Sequence, residues 1–220
     1  MAVAASNLTS GNSTSNGDFS TASITPAANR LILIAIYIQA SAIGSITSVT
    51  GNGITYELVN STGVPVENRV LLYRGMSASP SAGAITIART GGSNSNIQWV
   101  VDEVSNVFTG GAANGAGAVV QSAADNTNAT ITSFAPTLAA FTTTANGTYA
   151  CIGRNQTAPA MTAELTELVQ NVVSSRRIAT QYSSGNDTTP SWSFASSAVD
   201  TGSVAIEIKA ANTGGGVFFM

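Results

Sequence analysis

Arg30–Gln39 reads Arg-Leu-Ile-Leu-Ile-Ala-Ile-Tyr-Ile-Gln, an unbroken apolar run from Leu31 to Ile38 with a charge at one end and an amide at the other. Eight residues fall far short of the roughly 20 that a bilayer-spanning helix needs. The four isoleucines stiffen χ1 and pack well on a pleated surface, so the run is read as a strand. A strand that is apolar at both odd and even positions is covered on both faces, or covered on one and sealed by a neighbouring subunit on the other. It is expected to be the central strand of a sandwich.

The rest of the chain follows the same extended pattern. Residues 1–18 are mostly Ser, Thr, Asn and Gly, with little to bury, and read as a flexible arm. Strands are expected at 19–25, at 43–50 and at 54–59, the last two joined through the tight-turn signal Gly51-Asn-Gly53. Further strands are expected at 69–74, at 84–90, at 97–108 with a bulge near Asp102–Glu103, and at 119–123. Three shorter ones fall at 130–134, 141–143 and 148–153. The 164–173 stretch has apolar residues at helical spacing, but Val-Gln-Asn-Val-Val favours extension, and a strand is preferred. Two more strands flank Gly185–Pro190. Gly202–Ala210 alternates cleanly, with Val204, Ile206 and Ile208 on one face and Ser203, Ala205, Glu207 and Lys209 on a presumed outer one. About twelve strands between turn clusters predict an all-β, two-sheet antiparallel β-sandwich of jelly-roll type over residues 19–211. Neither βα alternation nor a fixed-period repeat is visible.

Charged residues make up only 9% of the chain, against about 25% in ordinary soluble domains. The surface must therefore be covered by neutral hydroxyl and amide groups, which suits an extracellular or particle-bound protein. A net charge of −3, with Lys209 and seven scattered arginines, gives no footprint for nucleic acid. The one basic pair, Arg176-Arg177, reads as the flank of a strand. The lone Cys151 has no disulfide partner and reads as a small buried hydrophobe. The N-terminus has neither the basic nor the apolar region of a signal peptide, and the seven Asn-X-Ser/Thr sequons are what so Asn- and Thr-rich a chain produces by chance.

The absence of histidine removes Ser-His-Asp and Cys-His nucleophile systems and imidazole metal sites. Two carboxylates suffice for glycoside hydrolysis, and Asp102, Glu103, Glu164, Glu167 and Glu207 are the acids to consider, but none sits in an aromatic, pocket-like context. Asp125–Asn128 and Asn186-Asp187 offer oxygen ligands for calcium, yet read better as Asx-turns. Neither cofactor nor metal is expected. Trp99 and Trp192 are the candidate sugar-stacking platforms if either faces solvent; inside strand patterns, both read first as core. A Gly-rich hinge at 212–216 precedes the bare apolar end Val217, Phe218, Phe219 and Met220. That end either folds back on its own sandwich or docks on a neighbouring subunit, where burial would contribute on the order of several kcal/mol.

Four segments carry a resemblance: Thr25-Pro-Ala-Ala-Asn-Arg-Leu-Ile-Leu, Val49-Thr-Gly-Asn-Gly-Ile-Thr-Tyr-Glu-Leu-Val59, Gln98-Trp-Val-Val-Asp-Glu-Val-Ser-Asn-Val107 and Val204-Ala-Ile-Glu-Ile-Lys-Ala210. With them the chain resembles a β-sandwich domain of tailed-bacteriophage structural proteins over most of 19–211. The resemblance implies a non-enzymatic virion component: a capsid decoration protein, or a head or tail exterior protein. A homo-oligomer, trimeric by analogy with exterior phage proteins, in contact with other virion proteins such as the major capsid protein, is expected. From the charge balance and the short apolar run, neither nucleic acid nor membrane is an expected partner. The alternative is a carbohydrate-binding module that recognises a host-surface glycan.

Overall fold

The computed structural model describes residues 1–40, 44–63, 68–92, 96–111, 113–155, 160–173, 175–198 and 200–212. In the first half of the chain the strands are β1 (Ala4–Ser13), β2 (Phe19–Ser20), β3 (Leu31–Gln39), β4 (Ser45–Gly51), β5 (Ile54–Thr55), β6 (Glu57–Ser61), β7 (Asn68–Gly75), β8 (Ile85–Thr90) and β9 (Asn96–Ser105). The second half holds β10 (Val119–Thr127), β11 (Ile131–Phe134), β12 (Gly147–Arg154), β13 (Met161–Ala163), β14 (Thr166–Val173), β15 (Arg176–Ser183), β16 (Trp192–Ala198) and β17 (Thr201–Ile208). A single 3₁₀ turn, Ala116–Ala118, precedes β10. The all-β antiparallel sandwich is present, but built from four sheets where two were expected.

Each half is a rolled-up double ribbon. In the first half β1 pairs with β9, β2 with β8, β3 with β7 and β4 with β5, all antiparallel, which is the wrapping of a jelly roll. One sheet runs β1-β9-β3-β7-β6 and the other β2-β8-β4-β5. The second half repeats this order, as β10-β17-β12-β15-β14 and β11-β16-β13, with no counterpart of β5. Aligning the paired residues sets Leu31 on Gly147 (116 residues on), Gly75 on Ser183 (108) and Val104 on Ile208 (104). The spacing shrinks along the chain because the second copy has shorter connections, so no fixed period survives in the sequence.

The two five-stranded sheets stack face to face. Here β1 packs on β14 and β10 on β6, β9 on β15 and β17 on β7, while β3 lies across β12. Exchanging the halves leaves this pattern unchanged, as a twofold axis would. The molecule is thus four layers deep, with a core in each of three gaps. Ile32, Ile34, Ile36 and Ile38 face the outer sheet of the first roll, with Trp99, Ile85 and Ile87. Leu31, Leu33, Ala35 and Tyr37 face the seam between the halves, against Tyr149, Cys151, Val204, Ile206 and Ile208. Ala150, Ile152, Trp192 and Phe194 fill the gap beneath the second outer sheet. All nine residues of β3 are buried, and the chain itself covers both faces of the strand.

Several local expectations change. The 1–18 segment does not form a free arm. Its Ala4–Ser13 part is an edge strand on β9, held by main-chain pairing that needs few apolar side chains, with Val3 tucked into the seam core. The bulge expected in β9 lies in its partner, between Asn7 and Thr9, opposite Asp102 and Val101. The 164–173 stretch is strand, as preferred. The turn at Asn52-Gly53 has φ of 58° and 63°, the left-handed pair that a two-residue hairpin requires. Residues 213–220, with the apolar Val217–Met220 end, lie outside the described residues.

Tyr37 reaches across the seam over Gly153, where an added Cβ would come within 2.3 Å of the ring's Cδ2. Only glycine admits the ring there. Gly153→Ala is expected to cost about 1–3 kcal/mol by overpacking, read from the urea midpoint. An unchanged midpoint would mean that the two inner sheets stand farther apart at this point.

Candidate functional site

Alternation along the strands decides where the candidate residues point. Trp99 is 5% exposed, and its ring stacks on Phe19 with centroids 5.2 Å apart. Gly11 of β1 lies against its far edge. Trp192 is 0% exposed beneath the second outer sheet. Each takes the inward parity of its strand, so neither offers a face to a sugar, and the stacking assignment is withdrawn on that ground. Arg176 and Arg177 brace the structure: Arg176 Nε donates to Gln39 Oε1 across the seam, and an Arg177 guanidinium nitrogen donates to Gln170 Oε1 at 2.6 Å.

All ten described acids accept hydrogen bonds within the chain. Glu57 takes the Arg74 guanidinium at 2.7 Å and Asn114 Nδ2 at 3.0 Å. Glu103 Oε2 accepts from the Ala27 N–H at 2.7 Å, and Glu164 Oε2 accepts from both the N–H and the hydroxyl of Ser191. Asp18, Asp125, Glu167, Asp187 and Asp200 accept from Arg89 N–H, Asn126 N–H, Gln170 Nε2, Thr189 N–H and Asn155 Nδ2. Asp102 and Glu103 are successive strand residues and point to opposite faces of their sheet. Among the described residues no three His, Cys, Asp or Glu groups come together as a metal site would require. No helix among them is long and apolar enough to cross a membrane.

Glu207 overturns the presumed outer face of the last strand. It is 1% exposed, covered by the outer sheet of the second roll. Its carboxylate accepts Asn146 Nδ2 at 2.5 Å and Gln121 Nε2 at 2.6 Å. Asn146 Oδ1 in turn accepts the Ala210 N–H, and Gln121 both donates to and accepts from Ala139. Three separate segments are tied together through one acid. Asp102 is 0% exposed on the opposite side, in the seam. Its Oδ1 accepts Asn7 Nδ2 and its Oδ2 accepts the Tyr149 hydroxyl, both at 2.9 Å. Burial raises its carboxyl to about 6, against the opposing pull of these hydrogen bonds. Cys151 is fully buried beside it, and burial pushes the thiol up to about 12.

The exposed faces of the two outer sheets are alike in chemistry. Cross-strand register lines up Ser20, Thr86, Thr50 and Thr55 in one exposed row over the first outer sheet. Ser20 and Thr86 bring their hydroxyls to 3.3 Å. On the second outer sheet Ser133, Ser193 and Thr162 form the corresponding exposed row. Strands β2, β4, β5, β11, β13 and β16 contain no charged residue, and β8 has only the buried Arg89. These rows are not visible in the sequence, because a row exists only once the pairing register is known.

No family model matches the chain, and neither does any curated protein or solved structure.

Replacing Glu207 by Gln would turn one acceptor into an N–H₂ group facing an amide donor. E207Q is expected to cost about 1–3 kcal/mol in urea unfolding, the cost of a buried unsatisfied group. A midpoint equal to wild type would show that the three segments do not depend on the carboxylate.

Proposed function

We propose that the chain is a non-enzymatic structural subunit of a particle, of the tailed-phage virion type that its motifs resemble. It acts through contacts with its own copies and with shell proteins such as the major capsid protein. The observation that carries this reading is the pair of uncharged hydroxyl faces on opposite sides of the stack. Neutral hydroxyls cost far less to desolvate than ions when neighbours close over them, and can exchange water for hydrogen bonds across the contact, whereas burying charge is costly unless every ion is paired. Among the described residues, Glu57, Asp102, Glu103, Glu207, Arg74, Arg176 and Arg177 are engaged in hydrogen bonds within the fold, which supports a role in packing over one in chemistry. The carbohydrate-binding alternative loses its two tryptophan platforms to burial.

The apolar end Val217–Met220 is assigned to attachment in this proposal. Light scattering on the purified protein, with and without 214–220, tests it together with binding to particles. A defined oligomer, or particle attachment, that is lost on truncation while the circular dichroism of the sandwich stays unchanged is the expected result. A monomer in both forms that also ignores particles would overturn the assembly reading.

A further inference from the structure

The two rolls meet over an apolar seam joined covalently by one connection, and among the described residues a single ionisable carboxyl is buried within it. Among the described residues four charged side chains are essentially excluded from solvent: Arg89, Asp102, Arg154 and Glu207. Arg89 belongs to the first outer sheet. Arg154, its guanidinium 4.7 Å above the Phe194 ring, and Glu207 both face the second. Asp102 alone faces the seam, and its two oxygens are shared between the halves. Oδ1 holds Asn7 of β1, and Oδ2 holds the Tyr149 hydroxyl that crosses from β12. The position equivalent to Asp102 in the second half is Ile206, so the twofold pattern carries this group once only.

We propose that Asp102 is a pH-responsive latch between the two rolls, tightening the seam on acidification and loosening it as the pH rises towards neutrality. The groups facing it are the Tyr149 phenol and Cys151 thiol from β12, Asn7 from β1 and Thr180 from β15. Burial holds the phenol and the thiol neutral throughout the physiological range, so neither offsets the carboxylate charge. The closed seam binds the Asp102 proton more tightly than an opened, wet one, where the group returns to its ordinary 3.8. Closure is therefore favoured in full below about pH 4, weakens as the pH climbs to about 6 and is level above that. Two pH units of difference correspond to an opening equilibrium that moves by up to about 100-fold, of which about tenfold falls between pH 5 and 8.

Cys151 is the only cysteine of the chain and lies in the seam, so its modification by a thiol reagent reports opening without any added probe. Full-length wild type and D102N are labelled in parallel from pH 5 to 8, so that the reagent's own pH dependence cancels. The wild-type-to-variant rate ratio is expected to rise about tenfold over that range, most of it below pH 6.5. A ratio independent of pH overturns the latch. Hydrogen exchange of wild type supplies the second measurement, and decides alone if D102N does not fold. Amides of β12 and β17 are expected to lose protection over the same window while those of β8 in the outer sheet keep theirs. Equal loss in all sheets would overturn the proposal, since it would place the effect on the whole fold.

Discussion

The fold depends on two five-stranded sheets whose central strands are buried on both faces. A sheet stacked on its neighbour stands about 10 Å away, and that gap must be filled by interdigitating side chains with no room for water. Here the requirement applies three times over, and β3 and β12 sit at the centre of it. Their odd-numbered residues meet at the seam and their even-numbered residues fill the two outer gaps. A roll of about 100 residues buries a smaller fraction of its surface by itself than a domain of twice that length. Setting two rolls back to back turns their largest sheet faces into core.

Such a stack leaves little room for charge, and the chain has little. Several of its ions act as fasteners at points where segments from distant parts of the sequence must be held. Glu103 and Glu207 occupy equivalent positions on β9 and β17, and each binds the segment that leads into its partner strand: Ala27 before β3, Asn146 before β12. One is near the surface and the other is buried, but the job is the same. The chemistry of the two copies has diverged most at the seam. Tyr37 there passes over Gly153, while Tyr149 bonds Asp102. Tyr37 and Gly153 are equivalent positions of the two halves, whereas the positions equivalent to Tyr149 and Asp102 are the apolar Leu33 and Ile206.

The same doubling shapes the exterior. Because the inner sheets are consumed by the seam, only the thin outer sheets face away from it, and they do so in opposite directions. Each presents a row of hydroxyls at equivalent places. Two like, uncharged faces on opposite sides are the physical basis of the structural role proposed for the chain.

Much of this was legible in the residues. The apolar run Leu31–Ile38 showed that something must cover both faces of one strand, and the alternation of Gly202–Ala210 placed Val204, Ile206 and Ile208 in a core. The Asn52-Gly53 turn, the inward tryptophans of strand patterns and the jelly-roll class were equally local signals, carried by side-chain period and turn chemistry. What the residues could not decide is what lies against each face. Glu207 looked solvent-facing because alternation tells one side of a strand from the other, but not whether a further sheet covers the second side. Residues 1–18 looked like an arm because an edge strand is held through its backbone, which leaves almost no mark on composition. The doubled roll was hidden because the strand order repeats while the loop lengths do not, and a sheet constrains which strands are neighbours far more tightly than which residues fill them. Local periodicity determined the strands and their inward sides; the number of layers, the seam and its buried carboxyl were decided by long-range pairing alone.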